Sequence, residues 1–260
     1  MATLALLSDF SNRDWYVAAM RGVCAALAPE ARLLDITHAV PPGDVSAGAF
    51  ILSQCWRCFP ANTVFLAVVD PGVGTERLPL AWRASEGQIF VGPDNGLFSF
   101  LVDSGTARAI QPPSGEPGAV SSTFHGRDIF APAAARLAAG SAFEAVGPVV
   151  ADPVVNALPQ AVESASAWLG EVQWVDHYGN LITNLDQAIC TRFAEGATLR
   201  LSVGEQALAV PYRRTFGEVP PEAPVAYLGS GGLLELALNG GSLARRLNEG
   251  RGARVVLRKP

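Results

Sequence analysis

Clustered positive charge is missing from this chain: 19 Lys and Arg residues stand against 24 Asp and Glu in 260, a formal net charge of -5. A sequence-independent hold on a polyanion needs Lys and Arg gathered on one surface, so nucleic acid is not expected as a partner. Long apolar runs are also missing. None approaches the ~20 residues that span a bilayer, and no membrane association is expected. The opening Met1-Ala-Thr-Leu-Ala-Leu-Leu7 has no basic n-region and breaks at Ser8-Asp9, which predicts a first strand rather than a secretory signal and hence a cytoplasmic protein. Cysteine is scarce, with four residues (Cys24, Cys55, Cys58 and Cys190) that should be reduced in that compartment. Cys55-Trp-Arg-Cys58 has the C-x-x-C form, but it falls near the end of a predicted helix, away from the N-terminal dipole that lowers the pKa of redox thiols. No second close pair completes a zinc site. These residues read as buried helix cysteines, and no His/Cys/carboxylate cluster has metal-ligand spacing.

What is present is 49% hydrophobic residues with 17% charged, enough to bury a core in one large domain or two smaller ones. The first part alternates strand-like and helix-like runs: Leu4 to Leu7, then Trp15 to Leu27; Leu33 to Ile36, then Val45 to Cys58; then Thr63 to Val69. This predicts an α/β domain with a largely parallel sheet. The continuous run Val64-Phe-Leu-Ala-Val-Val69 suits a strand covered on both faces. Asp70 stands at its carboxyl end, where open α/β sheets place ligands. Pro112 to Ser122 reads as a loop, and Thr123-Phe-His-Gly-Arg-Asp128 leads into an Ala-rich helix ending near Gly140. Gly147 to Ser164 holds three prolines and no clear period, which places a boundary near residue 160, between domains 1–160 and 161–260. Beyond it, β-like runs at Leu169 to Val175, Thr198 to Val203, Ala207 to Tyr212 and Val225 to Leu228, with a late helix around Ser242 to Leu247, predict a smaller β-barrel-like domain.

Two glycine-rich loops invite nucleotide readings. Asp70-Pro-Gly-Val-Gly74 lacks the third glycine of a dinucleotide fingerprint, and neither it nor Gly229-Ser-Gly-Gly232 ends in the Gly-Lys-Ser/Thr of a P-loop. Polar residues gather at strand ends instead: Ser8-Asp9 with Asp14, Asp70 with Arg77, Pro93-Asp-Asn-Gly96, His125 with Arg127 and Asp128, and Asp176-His-Tyr-Gly-Asn180. Each alone has a plain explanation. Asp94-Asn95-Gly96 is a good turn, Asp9 or Asp14 can cap the following helix, and a lone His is more often structural than catalytic.

Together they resemble one family. Ser8-Asp-Phe-Ser-Asn-Arg-Asp14, Val69-Asp-Pro-Gly-Val-Gly-Thr-Glu-Arg77, Val91-Gly-Pro-Asp-Asn-Gly-Leu97, Thr123-Phe-His-Gly-Arg-Asp128, Asp176-His-Tyr-Gly-Asn180 and Leu228-Gly-Ser-Gly-Gly-Leu-Leu234 are similar, in order, to the motifs of the S-adenosyl-L-methionine (SAM) hydroxide adenosyltransferases, the adenosine-forming SAM hydrolases related to the SAM-dependent fluorinase and chlorinase. The resemblance implies an N-terminal α/β domain, a C-terminal β-barrel domain, and a homotrimer with SAM at the subunit interface. SAM is then the substrate, and no cofactor is implied. It also implies that Asp70, Arg77 and His125 hold a water that attacks the ribose C5′. In that trio His125, whose ordinary pKa lies nearest neutrality, is the candidate general base, Arg77 donates to the water or holds Asp70, and Asp70 orients His125 or accepts a water proton. Asp9 would accept from the ribose hydroxyls, Asp176 would hold the methionine ammonium, and Asn180 would meet the adenine edge. Phe216 would pack on the base and Ser230 would bind the carboxylate, with Asp14, Phe124, Tyr178 and Gly240 also at the substrate.

Departures from the fluorinase are informative. That enzyme has Tyr at the positions of Asp70 and His125, a halide-contacting Ser at Gly126, and a carboxylate-binding Arg at Gly231, so the halide hole is absent here. Two other readings remain: a chlorinase-like halogenase, opposed by the Asp70 carboxylate beside any anion, and a non-catalytic SAM or adenosine sensor.

Overall fold

A computed structural model describes residues 2–112, 120–156 and 158–260. The chain divides into two compact units, Met1–Leu158 and Pro159–Pro260. In the first, the elements run β1 (Thr3–Ser8), α1 (Tyr16–Leu27), β2 (Arg32–Thr37), α2 (Val45–Cys55), β3 (Thr63–Val68), β4 (Pro79–Arg83), β5 (Ile89–Pro93), β6 (Thr106–Ala109), α3 (Ala131–Ala138) and β7 (Val149–Val150). Every residue of β3 is buried, as its unbroken apolar run predicts. On one face Leu4, Leu6, Val64, Leu66 and Val68 join Met20 and Cys24 of α1 and Ala131, Ala134 and Ala135 of α3 in one core. Side chains of the alternate set point the other way, where Phe65 stacks on Phe90 at 4.6 Å and Trp56 meets Phe90 edge-on.

The sheet order is β2-β1-β3-β5-β4-β6-β7. Only half of it has the expected sense. β2, β1, β3 and β5 are parallel neighbours, whereas β4, β6 and β7 pair antiparallel, so the sheet is mixed rather than largely parallel. The reason is local: β4 and β5 are joined by a short turn in which Ala84 N–H donates to Gln88 and Gly87 N–H to Ala84, and so tight a connection can only reverse the chain. Neither Asp9 nor Asp14 caps α1, whose N-cap residue is Trp15 with no side-chain cap. Cys24 and Cys190 are buried, with burial pushing their thiols up to about 11 and about 12. Cys58, by contrast, is exposed, because α2 ends at Cys55 and a single 3-10 turn, Trp56–Cys58, turns inward on Trp56 instead.

The second unit contains β8 (Val162–Glu163), β9 (Ala167–Val175), β10 (Leu181–Asp186), α4 (Gln187–Cys190), β11 (Thr198–Val203), β12 (Gln206–Pro211), β13 (Pro224–Leu228), β14 (Leu233–Leu238), α5 (Leu243–Leu247) and β15 (Arg254–Arg258). Its sheet runs β12-β11-β15-β9-β10-β14-β13, with β8 beside β9. The two outer strands nearly close on each other through a bridge between Tyr212 and Ala226, with Arg213 N–H donating to Ala226, so this unit is barrel-like. Inward residues such as Val172, Leu181, Leu201, Val203, Leu236 and Leu257 fill it. Among the described residues no helix is long and apolar enough to cross a membrane.

Phe90 is fully buried, and truncation would leave a ring-sized cavity beside Phe65. Phe90→Ala is expected to destabilise the first unit by about 3–5 kcal/mol, read as a lower denaturant midpoint; a midpoint equal to wild type would contradict this packing.

Candidate active site

Ser8 lies opposite Val68 across β1 and β3, so Asp9 and Asp70 emerge just past the carboxyl ends of adjacent parallel strands. Asp9 accepts the Gly43 N–H at 2.8 Å through Oδ2. Its Oδ1 is buried with no protein hydrogen-bond partner. Burial raises the Asp9 pKa, the backbone N–H groups of Gly43 and of Asp9 itself oppose that rise, and the nearby Asp70 charge adds to it. An unpaired buried carboxylate oxygen is costly to leave unmatched, and this one has lone pairs free to accept a hydrogen bond. Asp14 is exposed and has no described part in this cluster.

Asp70 is tied to Arg77. Nε of the guanidinium donates to the two carboxylate oxygens at 3.0 and 3.1 Å, and Nη2 donates to Oδ2 at 2.5 Å. The side chains of Arg77 and Asp70 are nearly buried, at 9% and 4% exposure respectively. The same Nη2 stands 2.8 Å from His125 Nδ1. A guanidinium only donates, so Nδ1 accepts and the neutral ring carries its proton on Nε2. Burial lowers the His125 pKa, the Arg77 charge adds to that, and Asp70 and Asp128 oppose it.

Sequence separation does not bring these residues together; one glycine lets the backbone do so. Gly74 has φ +77°, and a Cβ on it would stand 2.5 Å from the Ser122 carbonyl oxygen. Only glycine therefore lets the 70–77 loop lie against the segment that leads to His125. His125 then begins a π-helical turn, Gly126–Phe130, that runs on into α3, an irregularity common at functional sites. Arg77 also lies over the Phe130 ring at 5.0 Å. Phe124 is buried at 7% exposure, edge-on to Tyr16 at 5.1 Å. With Phe10, Trp15 and Arg127 it lines a shallow pocket of about 370 Å³.

In the second unit a pocket of about 650 Å³ is lined by Tyr178, Asn180, Phe216 and Gly240, with His177 and Arg245. Phe216 is half exposed, at 54%, offering a ring face. Asp176 organises the turn beside it, its Oδ1 accepting from the N–H groups of Tyr178 and Asn180 and its Oδ2 from the Asn180 amide. Ser230 is exposed on the loop between β13 and β14. Glu235, which no motif singled out, belongs to this neighbourhood. Burial raises its pKa, a hydrogen bond from Tyr227 opposes, and the Asp176 charge adds to the rise. The signal that could have found it was an acid in the otherwise apolar run of β14.

Among the described residues no group of three or more His, Cys, Asp or Glu could hold a metal. Residues 4–147 match the family model of the SAM hydroxide adenosyltransferase N-terminal domain, and residues 170–256 match that of its C-terminal domain. The chain is 44% identical to an (R)-S-adenosyl-L-methionine hydrolase of Thermus thermophilus over 98% of this chain and 100% of that one. It is 31% identical to a fluorinase of Nocardia brasiliensis over 94% and 93%. The crystal structure of an uncharacterized conserved protein from Thermotoga maritima superposes with a TM-score of 0.92 at 32% identity, covering 98% of this chain and 99% of that one.

The Arg77 contact makes a measurable demand on His125. By NMR, its ring should be the neutral Nε2–H tautomer at pH 7 and should protonate only below its ordinary value near 6.5. Arg77→Ala removes a repelling charge and leaves Asp70 attracting, so the titration should then move up. A wild-type midpoint above 6.5 would contradict the arrangement.

Proposed function

The chain belongs to the SAM hydroxide adenosyltransferase family, and we propose that it hydrolyses SAM to adenosine and L-methionine. It is a hydrolase acting by displacement: a water oxygen forms the bond to ribose C5′, the C5′–S bond breaks, its electron pair stays on methionine sulfur, and one water proton is released. The sulfonium leaves as a neutral thioether and needs no acid. What catalysis requires is a water held in line, and positioning of that kind contributes ~7–11 kcal/mol when geometry is near attack.

The observation that carries this reading is the single guanidinium nitrogen shared by Asp70 and His125. Arg77 occupies the lone pair at His125 Nδ1, which speaks against His125 as the base. In our reading Nε2–H donates to the water oxygen and Asp70, the acceptor of the trio, receives the proton. Arg77 pairs with Asp70, and Asp9 is close enough to feel the Asp70 charge, so these three groups carry one net negative charge when both acids are ionised; this suits a sulfonium and repels a halide. A side chain added at Gly126 would meet Met20 Sδ at 3.1 Å and the Phe10 ring at 3.3 Å, apolar neighbours that give an anion no donors. Hydrolysis is therefore favoured over halogenation.

We assign Asp9 to the ribose hydroxyls, Asp176 to the ammonium, Asn180 to the adenine edge, Phe216 to the base and Ser230 to the carboxylate. Phe124, Tyr178 and Gly240 shape the site. We further propose a homotrimer with SAM bound at a subunit interface, a cytoplasmic setting in keeping with the exposed Cys58 thiol, and activity without metal or cofactor. The relative's name points to one more feature: L already specifies the amino-acid carbon, so R describes the sulfonium centre, and the same epimer preference is proposed for this chain.

In ¹⁸O-labelled water the adenosine formed should carry label at its 5′-oxygen, over many turnovers, in the presence of EDTA, and faster from the R than from the S sulfonium epimer. Unlabelled adenosine, a single turnover, or loss of activity in chelator would count against the reading, as would 5′-chloro product in chloride. Asp70→Ala and Arg77→Ala should lower kcat by about 10²–10⁴ while changing SAM affinity less than tenfold. His125→Ala should be milder, and wild-type rates in all three would remove the trio from the mechanism. Asp176→Ala and Asn180→Ala should instead weaken SAM binding measured by calorimetry, since their contacts exist in ground and transition states alike.

A further inference from the structure

Just past the end of β2, His38 is buried at 3% exposure, and no role assigned above uses it. Its Nδ1 lies 2.8 Å from Ser8 Oγ. Its Nε2 lies 3.3 Å from one oxygen of Asp35, whose other oxygen accepts from Arg21 at 3.1 Å. Nε2 makes no hydrogen bond of good geometry, but the nearby carboxylate charge favours a ring proton on that side, which leaves Nδ1 to accept from the Ser8 hydroxyl. Ser8 Oγ in turn accepts the Phe10 N–H at 3.3 Å. On the other side, the His38 carbonyl accepts the Ser11 N–H at 2.7 Å, and Ser11 sits at φ +56°, a conformation that a non-glycine residue keeps only when its surroundings hold it. Residues 8 to 11 are thus fastened to His38 at both ends, with Asp9 between the fastenings. A register skip brings this about: Leu6 faces Asp35 but Leu7 faces Thr37, a bulge that advances β2 by one residue and sets His38 level with Ser8.

Ser8, His38 and Asp35 are the residue types of a hydrolytic triad, but Ser8 is fully buried and cannot meet a substrate. We infer that His38 is a positioning residue for the ribose-binding carboxylate: through Ser8 and Ser11 it fixes the backbone on either side of Asp9 and so the direction of the unpaired Asp9 Oδ1. Beyond that backbone, the Asp9 side chain accepts the Gly43 N–H, which fixes one oxygen and leaves the aim of the other to the flanking chain. The inference rests on the assignment of Asp9 to the ribose hydroxyls.

The test measures KM and kcat for SAM, with thermal unfolding as a check on folding, in Asp9→Ala, His38→Ala, His38→Asn, Ser8→Ala and the doubles of Asp9→Ala with His38→Ala and with Ser8→Ala. Loss of one aimed hydrogen bond is worth about tenfold. Asp9→Ala and His38→Ala should each raise KM about tenfold with kcat within about threefold, and Ser8→Ala should act in the same direction. His38→Asn, whose side-chain oxygen can accept where Nδ1 does, should stay within about threefold of wild type. Each double should exceed Asp9→Ala by no more than about twofold, because an aim has no value once the carboxylate is gone. If His38→Ala does not fold, Ser8→Ala, its double and His38→Asn make the same comparison. Multiplied losses in the doubles, or wild-type KM in both His38→Ala and Ser8→Ala, would overturn the positioning role alone. A wild-type KM in Asp9→Ala would overturn the ribose assignment itself and this inference with it.

Discussion

Arg77 places one guanidinium nitrogen between a carboxylate and an imidazole, and the rest of the first unit is arranged around keeping it there. Asp70 and Arg77 have almost no contact with solvent, and removing two such charges from water costs several kcal/mol each unless their hydrogen bonds are well made. The Nε and Nη2 contacts on Asp70 supply that geometry, and the Phe130 ring covers the guanidinium. The bare backbone of Gly74, packed on Ser122, closes the distance between the two loops involved. Without this close approach the Arg77 guanidinium would not reach His125, which would lose the contact that settles its tautomer.

The same arrangement explains a division of labour among the acids. Asp70 has its oxygens engaged by a cation, while Asp9, one strand over, has a free buried oxygen and a pKa raised chiefly by burial. One is suited to hold a water or its proton, the other to accept from a hydroxyl. In the second unit Asp176 spends most of its hydrogen-bonding capacity on its own turn, which makes it rigid, and Glu235 adds a second acid nearby.

Much of the architecture was readable from period alone. β1, α1, β2, α2 and β3 fall where strand-like and helix-like runs alternate, and β3 is buried on both faces as its apolar run requires. The β4 to β7 part was not legible, since those strands are short, carry Arg, Thr or Pro, and owe their pairing to neighbours rather than to their own pattern. The near closure of the second sheet likewise depends on Tyr212 meeting Ala226, a contact that no local signal announces. Cys58 misled in the same way: a helical period places it, but the helix stops three residues short.

The sequence by itself determined the chemistry available: six motifs in order, carboxylates at strand ends, a glycine where the loop must turn, and no cluster of basic charge. Tertiary structure alone decided which of those groups act on each other. Arg77 and His125 are 48 residues apart, and their contact exists because two loops meet where a Cβ would not fit. His38 looks like an ordinary residue in Ile36-Thr-His-Ala. It becomes a neighbour of Ser8 only after β2 gains one residue against β1. Residue identity is written along the chain, but hydrogen-bond direction, burial and protonation depend on distances of a few ångströms between segments that the chain brings together only on folding.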